Sequence, residues 1–135
     1  MRTGKRKHEA GFTLLEMMIV MTIMLVLVAV AIPAYQATVR AAREAVLKED
    51  LHTMRAAIDS YTADKQKAPQ SMDDLVQEGY LRVVPEDPMT HSKDTWVTDT
   101  TDSYRSTDQT DAGGIDDVHS GSQDTGSDGQ PYSTW

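Results

Sequence analysis

The chain has 135 residues, no cysteine, and a formal net charge of −8 from 13 basic and 21 acidic side chains. That length holds one small domain plus an anchor, and the absence of thiols excludes a disulfide as the means of holding the fold. The acidic balance repels nucleic acid and attracts cations, so no nucleic-acid partner is expected.

Residues 1–11 carry Arg2, Lys5, Arg6 and Lys7 and read as a cytoplasmic leader. The run Gly11-Phe12-Thr13-Leu14-Leu15-Glu16 follows, and Met17 to Ile32 is then apolar except for Thr22. The 19 residues from Leu14 to Ile32 make about 28 Å of helix, enough to span a hydrocarbon core. The basic cluster stays on the cytoplasmic side, which sends the C-terminus outward. Glu16 is the anomaly, because a charge at the centre of a spanning helix costs roughly 2.5–3.5 kcal/mol, and less near an end. A cut between Gly11 and Phe12 supplies a reason for it. The new α-amine lies four residues before Glu16, and two opposite charges then meet at the membrane edge. The same cut removes four basic residues and Glu9, leaving a net charge of about −11. An ordinary secretory cut after Val28-Ala29-Val30-Ala31 leaves the Gly-Phe-Thr-Leu-Leu-Glu run unexplained and Glu16 inside the apolar core.

Pro33 removes a backbone donor and is expected to bend the helix at the membrane exit. Val39, Ala42, Val46, Leu47, Leu51, Met54, Ile58 and Tyr61 then recur at spacings of three and four. Arg40, Arg43, Glu44, Lys48, Glu49, Asp59 and Ser60 fill the other face, giving an amphipathic stripe to about Asp64. Lys65 to Ser71 is a break. Ser71 is placed to cap a short helix through Asp74, with Met72, Leu75 and Val76 on its face and Gly79 at its end. Tyr80 to Val84 reads as a short extended stretch stopped by Pro85 and Asp87-Pro88. Thr95–Thr98 and Asp102–Arg105 read as paired strands, and Ile115–Ser120 as a third. Asp99 to Gly114 is polar and contains a loop; Gly121 to Pro131 is rich in Gly, Ser and Asp.

The N-terminal segment resembles the class III signal of type IV pilins and type II secretion pseudopilins, which a prepilin peptidase cuts after a Gly. The resemblance implies cleavage between Gly11 and Phe12, N-methylation of Phe12, and an assembly role for Phe12, Glu16 and Pro33. Glu16 would pair with the amine of Phe12 on a neighbouring subunit, as a register device. The rest of the chain resembles the major pseudopilin of type II secretion. The carriers are Tyr61, Pro69, Leu75, Gly79-Tyr80-Leu81, Pro85, Asp87-Pro88, Asp117-Val118-His119-Ser120, the loop Gly121–Gly129, and Trp135. Ala68 and Met89-Thr90 depart from the family pattern, and the C-terminal loop is short.

The resemblance implies an α+β, type IV pilin-like fold: a long N-terminal helix, its first half transmembrane, packed by its second half on a small antiparallel sheet with a calcium-binding C-terminal loop. It divides the chain into a leader (1–11), a transmembrane and assembly helix (12–33), an amphipathic continuation (34–64) and a small periplasmic region (65–135). The implied partners are further copies in a helical homopolymer, minor pseudopilins, the inner-membrane secretion platform and the prepilin peptidase. The implied function is a structural subunit whose filament drives export of folded proteins across the outer membrane. The rivals are a type IV pilus or competence pilin subunit and, in another class, a monomeric membrane-anchored periplasmic binding module.

Calcium takes six to eight oxygens in a flexible arrangement. The candidate ligands are Asp117, Ser120, Ser122, Asp124 and Asp128, with Ser127 beside them; the competing reading is a mobile acidic loop. The spacing does not fit an EF-hand. His8, His52, His91 and His119 lack paired zinc spacing and read as surface or partly buried side chains. There is no glycine-rich phosphate loop and no Gly-x-Ser-x-Gly element, so catalysis is not expected.

Overall fold

Thr13 starts the first helix. Its carbonyl accepts the backbone N–H of Met17 at 3.2 Å, the first helical bond, and its hydroxyl accepts that of Glu16 at 3.2 Å, which satisfies one of the donors that every helix start leaves free. The computed structural model describes residues 11–100 and 113–135. Its elements in order are α1 (Leu14–Lys65), α2 (Met72–Gln77), β1 (Val97–Thr100), β2 (Ile115–His119) and a 3-10 turn at Tyr132–Thr134. The chain divides into two units, Met1–Thr38 and Val39–Trp135. The expected strand at Asp102–Arg105 lies outside the described residues.

In the first unit, no residue described on α1 is buried. Leu25, Val30 and Leu27 are 70, 69 and 64 % exposed. By length and composition α1 is able to cross a membrane. Thr22, the polar interruption, donates its hydroxyl to the Met18 carbonyl at 2.8 Å and so needs no water partner. Pro33 lies inside α1, and the helix continues through it.

In the second unit, α1 buries Leu47, Leu51, Met54, Ala57, Ile58 and Tyr61 at the expected helical spacing. They meet Leu75 of α2, Leu81, Ile115 and Val118 of β2, and Tyr132 in one apolar cluster. Burying each large member contributes roughly 1.5–3 kcal/mol. Three positions on α1 depart from the expected stripe, and Ala42 is one of them, exposed. Val46 is half exposed, and Glu44, expected on the solvent face, is only 6 % exposed.

Helix α2 is closed by a reciprocal box. Ser71 Oγ accepts from Asp74 N at 3.2 Å, and Asp74 Oδ2 accepts from Ser71 N at 3.0 Å. Gly79 follows it at φ +81°, where a side chain is strained. The expected extended stretch at Tyr80–Val84 does not form a strand. Tyr80 N and Leu81 N both donate to the Leu75 carbonyl at 2.9 Å, so the backbone folds back over α2 and buries Leu81.

Strands β1 and β2 pair antiparallel, with Val97 opposite His119, Thr98 opposite Val118, Asp99 opposite Asp117 and Thr100 opposite Ile115. The first strand is thus Val97–Thr100, two residues later than expected. The register shift leaves Asp116 without an opposite residue. Strict alternation would send Ile115 and Val118 to opposite faces; the extra residue lets both face the core, at 4 and 0 % exposure.

Candidate functional site

The N-terminal residues expected to be processed precede the helix. Gly11, Phe12 and Thr13 are exposed and non-helical, and Phe12 is 79 % exposed. Glu16 stands in the first turn of α1, where the helix dipole favours a carboxylate. Thr13 caps this helix start through its hydroxyl on Glu16 N–H, and the dipole gives the Glu16 carboxylate a local favour that the reasoning from membrane cost alone missed.

At the other end of the chain, the acidic loop doubles back on itself. Gly126 N donates to the Gln130 carbonyl at 2.7 Å, and Tyr132 N to that of Asp124 at 3.0 Å. Its anchor is Glu44. One carboxylate oxygen accepts from Ser127 N at 2.8 Å, from the Tyr132 hydroxyl at 2.8 Å and from Arg40 Nε at 3.3 Å; the other accepts from Ser127 Oγ at 2.5 Å. Arg40 also donates to the Thr125 carbonyl. Burial pushes the Glu44 carboxyl upward, but the donors from Ser127, Tyr132 and Arg40 outweigh it and hold the group below its ordinary range. A buried charge with four donors is one whose desolvation is met by the fold.

A second cluster lies at Asp87, which is fully buried. Its Oδ1 accepts from Met89 N at 2.8 Å and its Oδ2 from Ser120 Oγ at 2.5 Å, while Ser120 Oγ accepts from Ser122 N at 3.1 Å. Asp50 is raised, mainly by burial and then by the nearby charge of Asp87. The sequence offered Asp87 only as part of a turn. What marked it was the Asp-Pro pair, whose aspartate can fold back onto backbone two residues on.

A third cluster forms around Arg55. Its Nε donates to Asp117 Oδ1 at 2.6 Å and its second nitrogen to the carbonyls of Val118 at 3.0 Å and Trp135 at 2.8 Å. His119 Nε2 lies 3.1 Å from Asp99 Oδ2. Burial would raise Asp117, but the Val118 N–H and Arg55 together hold it below its ordinary range.

The five candidate calcium ligands are therefore divided among different partners. Asp117 is held by Arg55, and Ser120 and Ser122 belong with Asp87. Asp124 and Asp128 remain on the exposed loop, with Asp128 Oδ1 accepting from Gln130 N at 2.9 Å. Among the described residues, no three His, Cys, Asp or Glu side chains stand close enough to share one ion. Of the five, Asp124 and Asp128 are the exposed ones.

Comparison with known proteins places these features. The Prokaryotic N-terminal methylation motif matches residues 6–32, which include Gly11, Phe12 and Glu16. The Competence protein ComGC of Halalkalibacterium halodurans is 34 % identical over 74 residues, covering 55 % of this chain and 72 % of that protein. The Type II secretion system core protein G of Pseudomonas aeruginosa is 31 % identical over 100 residues, covering 62 % of this chain and 70 % of that protein. Its counterpart in Klebsiella michiganensis is 29 % identical with the same coverage. No solved structure matches the chain.

Proposed function

We propose, for a chain that belongs to the type IV pilin-like family as a major pseudopilin, that it is the structural subunit of a type II secretion pseudopilus. The observation that carries this reading is the methylation motif over residues 6–32 leading into an apolar helix with no buried residue before Glu44. Such a surface has no use in a solitary water-soluble chain; it is suited to lipid and then to other copies of itself.

In this reading the peptidase cuts between Gly11 and Phe12, and Phe12 is N-methylated. The chain spans the inner membrane once, with the C-terminal unit in the periplasm, in the sense set by Arg2, Lys5, Arg6 and Lys7. Glu16 then has two tasks. Within its own helix it sits at the favoured end of the dipole, and between copies it answers the amine of Phe12. Subunits add through residues 12–33, on a secretion platform and with minor pseudopilins, and the growing filament moves folded proteins toward the outer membrane. The competence-pilin reading draws on the match to ComGC. The secretion reading is favoured because the core protein G relatives align over 100 residues against 74, so their likeness extends further along the chain.

Calcium belongs to the same proposal. Asp124 and Asp128 would hold it with loop carbonyls, and the ion would neutralise two exposed carboxylates that Glu44 does not reach.

Three measurements test the proposal. Mass spectrometry from a host with the peptidase should find a methylated N-terminus at Phe12; an intact Met1 there overturns it. Glu16→Ala should insert but form few filaments by electron microscopy; abundant filaments contradict the pairing role. A chelator should lower the melting temperature, and an unmoved midpoint removes calcium from the proposal.

A further inference from the structure

One pocket of the second unit is built unlike the rest of this acidic chain. Its volume is about 380 Å³, and its lining includes Lys48, His52 and Arg55 of α1 with Asp128 and Trp135. The three basic residues stand at i, i+4 and i+7, one above another on a single helix face. From Glu86 onward the sequence has eleven acidic residues against Lys93 and Arg105 alone. An ammonium free of any ion pair among the described residues, like that of Lys48, is in such a chain a contrast that attracts carboxylates.

The three basic groups differ in how far they are engaged. Arg55 is taken up by Asp117 and by the carbonyls of Val118 and Trp135, and so forms a fixed wall. Lys48 Nζ lies 4.5 Å from the centroid of the Trp135 ring. Contact with the ring face steadies the ammonium while leaving its hydrogens free to donate. Among the described residues Lys48 enters no salt bridge, and both Lys48 and His52 are exposed. Asp128 is the acidic group on the rim; its Oδ1 already accepts from Gln130 N.

We infer that this pocket receives an aspartate or glutamate side chain of a second copy of the chain, with Lys48 as its ion-pair partner. The inference rests on the reading that the chain polymerises. A second copy brings exposed acids in abundance: Asp73, Glu86, Asp94 and Asp116 lie on the surface of the same unit. Chains each carrying about −11 after processing repel one another on association, and the ammonium of Lys48 turns one of those approaches into an attractive contact. The pocket thus sets which acidic surface a neighbour presents. Affinity for the bilayer and for the apolar helix bundle comes from elsewhere.

The test uses filaments assembled from the full-length processed chain, made from equal parts of nitrogen-15-labelled and unlabelled protein. A zero-length carbodiimide joins an amine to a carboxylate only when the two are already in contact. Mass spectrometry should find Lys48 joined to an Asp or Glu in peptide pairs of mixed isotope content, which only a link between two copies produces. Filaments whose Lys48 is joined only within its own copy, or not at all, overturn the inference. Failure of the wild-type chain to form filaments overturns the polymer reading instead. In a second arm, Lys48→Glu should cut filament yield at least tenfold at low salt, while Lys48→Arg assembles as wild type. Equal yields from Lys48→Glu and wild type overturn the inference. If Lys48→Glu fails to fold, the cross-linking arm alone decides.

Discussion

The two parts of α1 use one secondary structure for opposite purposes. Before Glu44 the helix buries nothing against its own chain; from Glu44 to Tyr61 it buries seven side chains, and one of them is a carboxylate. In the first part an apolar side chain gains nothing from its own fold and depends on lipid or other copies. In the second an apolar side chain closes a core, and a charge is buried because four donors reach it. Helical periodicity alone does not separate these uses. The separation comes from polar residues, which are nearly absent from Met17 to Ile32 and frequent after Val39.

The contrast is sharpest under truncation. Met54→Ala should destabilise the second unit by about 2–5 kcal/mol, since Met54 is fully buried. Leu25→Ala, at a residue 70 % exposed, should fall within about 0.5 kcal/mol in the same urea titration, done in detergent. A large loss from Leu25→Ala would break the comparison.

Glu44→Ala tests the buried charge and should cost about 1–3 kcal/mol. It leaves the Ser127 and Tyr132 groups without their acceptor, and the loop should become sensitive to protease while α1 keeps its circular dichroism. An unchanged urea midpoint would show that the cluster contributes nothing.

The pH dependence has a definite sign. The carboxyls of Glu44 and Asp117 are held below their ordinary values in the folded chain. Their stabilisation is fully present above the ordinary carboxylate range and is lost as pH falls through the lowered values. Melting temperature should therefore drop on acidification below about pH 4, and Glu44→Gln should flatten that drop. Asp50 has the reverse sign: burial and Asp87 raise it, so its charge costs stability at neutral pH, and Asp50→Asn should raise the melting temperature slightly. The smallest effect expected is Ser71→Ala, about 1 kcal/mol, read as a shift in the urea midpoint.

What the sequence made legible was what is local. The stripe from Leu47 to Tyr61, the Ser71–Asp74 box and the turn at Gly79 depend on residues three to eight apart, and each formed where it was expected. Glu44 was misplaced because its partners Ser127 and Tyr132 lie 83 and 88 residues away, and no helical period carries that information. The register between β1 and β2 was not legible for the same reason: the shift at Asp116 is a property of two segments together. Among the candidate ligands, a run of oxygen-bearing side chains said nothing about which would be claimed first by Arg55 or Asp87.

The separation of Glu44 from Ser127 also has a meaning in time. While the polypeptide emerges, the early half of that lock exists without its key, and Arg40 is the one donor of the four already at hand. A chain interrupted before Ser127 lacks three of the four hydrogen bonds to that carboxylate, and should be cut by protease faster than the full chain. The nine residues from Ser127 to Trp135 thus supply what the middle of the long helix needs to bury its charge.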